Sequence, residues 1–314
     1  MNQDRWDPEM RAARTRQDEA AARLPPVTLT EPFGPSRLVN EQIAMLFGQG
    51  GPAMAETREH WLLIRGRRLL VRVHKPRTDA KLPVLVWFHG GGWVFQSIDS
   101  HDRLCRELAA AGDVATVSID YALAPESRFP GPLLECSDAV RAIAGTDWGL
   151  DTSRIAVGGD SAGGNLALGT ALHLRDAGGP KLRGIFTPYP VTDADFASPS
   201  YVEFAEGYGL TTVGMQAYWD LYTRDAADRL NPLAAPLRAD CKGLPPTLIG
   251  LAELDVLRSD GERMAARMRA AGVDVTLLTY PGVLHGFYRL TGEVGVARKA
   301  VADAGGWLHK TMAA

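Results

Sequence analysis

The sequence predicts an α/β fold, a mixed and mostly parallel sheet of about eight strands with helices on both faces and a helical cap. Three observations predict it. From residue 84 to residue 280, short continuously apolar runs alternate with amphipathic stretches, the pattern of parallel strands buried on both faces. A strand pair with a glycine at its turn comes first and adds antiparallel strands to the sheet. Two helical segments before that pair, and an aromatic-rich insert between Thr187 and Thr247, fall outside the alternation and read as cap.

In chain order, residues 11–23 are rich in Ala, Arg, Gln and Glu and form a helix that Pro25-Pro26 ends. A second helix spans about 36–47, with Ser36 as N-cap and Gly50-Gly51-Pro52 as breaker. Residues 61–64 and 69–74 flank Arg65-Gly66-Arg67-Arg68 as a hairpin. That basic cluster is a solvated turn, since no aromatic pattern or second basic patch accompanies it. Buried-type strands follow at 84–88, 114–119, 155–157, 184–187, 247–251 and 275–280. Helices at 102–111, 133–144, 162–177, 213–223 and 260–271 lie among them. The insert carries Tyr201, Phe204, Tyr208, Tyr218, Trp219 and Tyr222, suited to a second cap segment. The 314 residues then divide into cap helices at 1–55 and one main domain at 56–314, with a cap insert at about 190–235.

Composition excludes several classes. With 46% hydrophobic and 23% charged residues the chain is an ordinary globular one, neither disordered nor fibrous. A formal charge of −3 supplies no footprint for nucleic acid and no polybasic anchor for a stable membrane association. The polar start Asn2-Gln3-Asp4-Arg5 is not a secretory leader. The 3 cysteines, Cys105, Cys136 and Cys241, form no C-x-x-C pair and read as reduced thiols of a cytoplasmic protein. No H-E-x-x-H or Cys/His cluster indicates a metal, and no phosphate-binding glycine loop indicates a nucleotide, so no cofactor is expected.

Chemistry concentrates at strand ends. Gly159-Asp160-Ser161-Ala162-Gly163 stands between a short strand and a helix, where G-x-S-x-G forms a strained turn that exposes the serine hydroxyl. The alternative is a glycine-rich turn in which Ser161 only caps the helix. His89-Gly90-Gly91-Gly92-Trp93 ends another strand, and such a loop turns backbone N–H groups toward a developing oxyanion. Among the 7 histidines, His285 lies just beyond the strand that ends at Tyr280, on the carboxyl edge where α/β sites form. His101 begins a helix and is expected to be exposed. The acid follows the strand at 247–251 and is Asp255, with Glu253 as the fallback. The order serine, acid, histidine is that of α/β hydrolases. Asp120 and Glu126 could mimic a glycosidase pair but read as structural support.

Together H-G-G-G-W at 89–93, D-Y-A-L-A-P-E at 120–126, G-D-S-A-G-G-N at 159–165, E-L-D-V-L-R-S-D at 253–260 and H-G-F at 285–287 resemble the bacterial hormone-sensitive-lipase-like (family IV) carboxylesterases of α/β-hydrolase fold. The resemblance spans roughly residues 35–310. Ala122 departs from the family's usual Arg, and Val256 from its usual Pro after the acid.

The resemblance implies Ser161 as nucleophile, His285 as base and Asp255 as its orienting acid, with Gly91, Gly92 and Ala162 supplying the oxyanion N–H groups. It implies a serine esterase for short- to medium-chain acyl esters, a small-molecule substrate and a homodimer formed through the sheet edge near the last strand. Amide or formamide hydrolysis by the same residues is the second reading, and a non-catalytic binding module on this fold the third. Phe33, Trp93, Phe95, Tyr189, Tyr208, Leu210, Trp219 and Phe287 are the expected substrate contacts.

Overall fold

A computed structural model describes residues 3–313. Residues 1, 2 and 314, which include Asn2 of the leader reading and the ends of both predicted domains, lie outside the described residues. The chain opens with helix α1 (Pro8–Ala21), started by Pro8 and by Asp7, whose carboxylate accepts from the Met10 N–H at 3.0 Å. Helix α2 (Phe33–Phe47) begins at Phe33 behind Pro32, so Ser36 is not its cap. Phe33 is buried and starts the helix early; Ser36 lies in the first turn and its Oγ takes the Thr28 N–H instead, at 3.0 Å.

The hairpin strands β1 (Glu56–Ile64) and β2 (Arg67–Lys75) pair antiparallel around Arg65-Gly66. Both turn residues have positive φ, +51° and +80°, as a primed two-residue turn requires. Then come β3 (Leu82–Phe88), α3 (Asp102–Gly112), β4 (Ala115–Ile119), α4 (Gly131–Ala144), β5 (Leu150–Gly159) and α5 (Ala162–Asp176). Strand β6 (Leu182–Pro188) leads into the insert, which holds α6 (Pro199–Glu203), α7 (Thr212–Tyr222) and α8 (Ala226–Leu230). The chain ends with β7 (Thr247–Leu254), α9 (Arg258–Ala270), β8 (Val275–Leu284) and α10 (Gly295–Ala313). Among the described residues, no helix is long and apolar enough to cross a membrane.

The eight strands form one sheet in the order β1-β2-β4-β3-β5-β6-β7-β8, antiparallel at β1/β2 and β2/β4 and parallel elsewhere. All of β3 and β4 is buried, the signature of strands covered on both faces. Strand β5 starts five residues before the predicted 155, because Leu150 and Asp151 pair with Leu82 and Pro83 ahead of a register shift. The polar run Asp151-Thr152-Ser153-Arg154 hides that extension from an apolar pattern.

Both segments outside the alternation pack toward the sheet's carboxyl edge. The Asp7 N–H bonds the Gly282 carbonyl at 2.8 Å, tying α1 to β8. Arg37 of α2 donates to the Val94 and Ala124 carbonyls, both at 2.9 Å, and to both carboxylate oxygens of Glu126 at 2.7 Å. On the insert side, Tyr222 stacks on Trp93 at 4.2 Å between ring centres.

Candidate active site

The turn between β5 and α5 holds Ser161 at φ +57°, ψ −120°, a backbone region that non-glycine residues rarely occupy. The glycines around it are required by contact. A Cβ on Gly163 would stand 1.9 Å from the Phe88 carbonyl oxygen, and one on Gly159 2.4 Å from the same atom. The elbow can therefore lie directly against the end of β3 only without side chains there. Ser161 is nearly buried, and its N–H bonds the Pro188 carbonyl at 3.1 Å.

Strands β7 and β8 bring the partners. Asp255 follows the last residue of β7, is 1% exposed, and accepts the Leu257 N–H on Oδ1 at 3.0 Å. Its Oδ2 lies 2.7 Å from His285 Nδ1, and His285 Nε2 lies 2.9 Å from Ser161 Oγ. With the ring proton on Nδ1 donated to Asp255, Nε2 accepts from the serine hydroxyl. Glu253, two residues earlier, serves elsewhere: it accepts the Gly282 N–H at 2.8 Å and pairs with Arg5 at 3.0 Å.

The loop after β3 turns sharply at Gly91 (φ +110°) and Gly92 (φ +63°), conformations open to glycine. A Cβ on Gly91 would meet the Phe95 carbonyl at 2.2 Å, and one on Gly92 the Tyr218 ring at 2.4 Å. Ala162 opens α5, where first-turn N–H groups lack an intrahelical acceptor. Behind the loop, Asp160 accepts the Gly90 N–H at 3.0 Å and faces His101 Nε2 at 3.0 Å. His101 is thus fully buried, not exposed as its helix-start position suggests, because α3 packs its first turn under this loop. Burial opposes the Asp160 charge, but His101, with Arg289 and His285, outweighs it and holds the carboxyl down at about 2. Burial, aided by the His101 charge, pushes the His89 imidazole down to about 3, so His89 stays neutral against Tyr121, which bonds its carbonyl at 2.8 Å.

A cavity of about 130 Å³ lies over Ser161, walled by Gly91, Gly92, Val191, Leu210, Met215 and Tyr218, with Gln96 and Arg289 beside His285. A larger cavity of about 410 Å³ lies between α1, α2 and the His285 loop, and shares Gln96, His285, Gly286 and Arg289 with the first. Of the expected substrate contacts, only Leu210 lines the smaller cavity. Trp93 and Trp219 belong to the aromatic core, edge to face at 5.2 Å. Phe95 lies under Tyr218 at 6.3 Å, and Phe33 is buried beneath the Arg37 guanidinium. Tyr189 backs the His285 ring at 4.6 Å and Phe287 packs behind Tyr189, whereas Tyr208 packs on Trp6 and Phe204. An aromatic residue looks the same in sequence whether it fills a core or a pocket. Val191, Met215, Tyr218, Gln96 and Arg289 were not among the expected contacts, and no local motif marks them.

The class these parts define is the α/β hydrolase, with a serine, histidine and aspartate meeting at the carboxyl edge of a parallel sheet. The chain belongs to the α/β-hydrolase-fold family whose model, Abhydrolase_3, matches residues 85–289. It is 40% identical to carboxylesterase NlhH of Mycobacterium tuberculosis over 237 residues, 73% of this chain and 74% of that protein. It is 37% identical to ethyl acetate hydrolase of Pseudomonas putida, over 72% and 73% of the two chains. Among solved structures, a thermostable esterase from Pseudomonas putida ECU1011 superposes with a TM-score of 0.88 at 36% identity, covering 95% of this chain and 97% of that one. A hyperthermophilic esterase from the archaeon Pyrobaculum calidifontis gives 0.90 at 32%, covering 98% and 99%. The resemblance to hormone-sensitive-lipase-like carboxylesterases holds, and the chain is a carboxylic ester hydrolase.

Proposed function

We propose that the protein hydrolyses short- to medium-chain acyl esters through an acyl-enzyme on Ser161. One observation carries the proposal: the unbroken relay from Asp255 through His285 to Ser161, at 2.7 and 2.9 Å. Ser161 Oγ attacks the ester carbonyl while its proton moves to His285 Nε2. Asp255 keeps the other ring proton on Nδ1 and steadies the imidazolium. The N–H groups of Gly91, Gly92 and Ala162 receive the oxyanion. His285 then protonates the departing alkoxide as the C–O bond breaks, and a water repeats the sequence to release the acid.

The size of the cavity supports a short acyl group. At about 130 Å³ it holds roughly four water volumes of ~30 Å³ each, the scale of an acetyl or butyryl chain. Residues 1–55 and the insert at about 190–235 act as the cap over this edge, closing on the 56–314 catalytic domain. Three buried free thiols, Cys105, Cys136 and Cys241, support a cytoplasmic location. The position of β8 as the last strand of the sheet supports a homodimer. The test is a series of p-nitrophenyl esters with fluorophosphonate labelling. We expect an adduct on Ser161 and faster turnover of acetate, butyrate or hexanoate than of palmitate. A maximum at palmitate, or no adduct, would overturn the proposal.

A further inference from the structure

We propose that the ester this protein is built to hydrolyse carries a carboxylate, received by Arg289 beside the triad. The proposal rests on the esterase reading above and specifies its substrate class. Arg289 ends the short turn Phe287–Arg289, four residues after His285. It lines both the cavity over Ser161 and the larger one behind α1 and α2. Its Nε is buried without a hydrogen-bond partner, and among the described residues no ion pair or side-chain hydrogen bond holds its guanidinium.

The other cations of the larger cavity are engaged. Arg14 pairs with Asp18 at 2.8 Å, and Arg103 pairs with Glu107 at 2.9 Å and donates to the Gln49 carbonyl. Asp160, the nearby buried carboxylate, already has the Gly90 N–H and His101. Asp160 offsets part of the Arg289 charge from a distance, but a guanidinium with no hydrogen-bonded anion in a sheltered cavity still carries a desolvation cost that an incoming carboxylate reduces. Its planar fork suits a carboxylate, bound through two parallel N–H···O bonds. Asn40 lines the same larger cavity with its amide oxygen buried and unpartnered, and an amide can turn to donate instead. A doubly charged phosphate fits less well, because Asp18 and Asp160 stand on the two cavity walls. Arg289 shares His285 and Gly286 with both cavities, so an ester reacting at Ser161 can extend its second functional group to the guanidinium.

The test compares matched esters with and without the charge. One pair carries it on the acyl side: 4-nitrophenyl hydrogen glutarate and its methyl-capped neutral ester. The other carries it on the alcohol side: acetoxyacetate and acetoxyacetamide. We expect wild-type kcat/KM to favour the carboxylate by about tenfold or more in at least one pair. Arg289→Met should lower that ratio about tenfold, mainly through KM, and Arg289→Lys should restore part of it. Ratios at or below one in both pairs would overturn the proposal. So would equal losses on both members of a pair in Arg289→Met, which would make Arg289 only a counter-charge for Asp160. If Ser161 is labelled by fluorophosphonate and neutral esters turn over while the ratio stays fixed, the carboxylate assignment alone falls. If neither labelling nor turnover occurs, the esterase reading itself falls.

Discussion

Two carboxylates two residues apart compete for the acid's role, and substituting each separates them. In Asp255→Asn, an amide replaces the oxygen 2.7 Å from His285 Nδ1. If the amide nitrogen faces the ring, Nδ1 must accept, and the ring proton moves to Nε2, the atom that has to accept from Ser161. The Leu257 N–H, bonded to Oδ1 at 3.0 Å, favours that orientation because it keeps the amide oxygen on its own side. The same change in a serine-protease triad costs about 10,000-fold in kcat, or about 5.4 kcal/mol at 1.36 kcal/mol per decade. Here roughly 1,000- to 10,000-fold is expected. Glu253→Gln breaks only a half-exposed pair with Arg5, worth about 0–1 kcal/mol, and can keep the Gly282 N–H bond through its amide oxygen. Its kcat should stay within about threefold of wild type, with a small drop in Tm. Steady-state kcat on p-nitrophenyl butyrate, with thermal melts of each variant, measures both. If Glu253→Gln loses as much as Asp255→Asn, or Asp255→Asn stays within tenfold of wild type, the assignment of the acid is wrong.

Other consequences can be checked at single positions. Burial raises the Asp260 carboxyl to about 7 against the Thr192 and Asp193 N–H bonds that favour its charge, so the folded state holds this proton more tightly than the unfolded chain. Its contribution is full below the unfolded value near 4 and is lost as pH rises to about 7, at up to about 1.4 kcal/mol per unit. Relative to wild type, Asp260→Asn should therefore gain stability between pH 5 and pH 8; urea midpoints that differ equally at both pH values would contradict this. Gly91→Ala sets a Cβ 2.2 Å from the Phe95 carbonyl, which forces the loop to move. A loss of about 100- to 1,000-fold in kcat is expected, and activity within threefold of wild type would clear Gly91 of the role. Tyr218→Ala should widen the cavity over Ser161 and move the chain-length optimum upward, at about 3–5 kcal/mol of stability if it behaves like other large aromatic truncations. An unchanged optimum in the ester series would show that Tyr218 does not limit the acyl chain.

Much of this protein was legible along the chain, because its defining features are local. Apolar runs separated by helical stretches specify parallel strands, and residues at strand ends on the carboxyl side share one edge of the sheet. That is why Ser161, His285 and the glycines at 91 and 92 could be singled out by motif and position. The early start of β5 leaves no apolar signal because its extra residues are polar, and the start of α2 lies ahead of Ser36 because Pro32 and the buried Phe33 decide it. Other choices belong to the tertiary structure. Glu253 and Asp255 are the same kind of residue two positions apart, and only the packing of β7 against β8 sends one to His285 and the other to Arg5 and Gly282. His101 is buried against Asp160, which lies 59 residues further along the chain, a pairing no local pattern encodes. The aromatic residues divide between core and cavity by the direction each faces in the folded chain, so on one helix, α7, Trp219 packs into the interior against Trp93 while its neighbour Tyr218 lines the cavity over Ser161. Local chemistry is written in short motifs and survives being read in one dimension. Which like residue faces which partner is set by contacts between distant segments, and those exist only once the chain has folded.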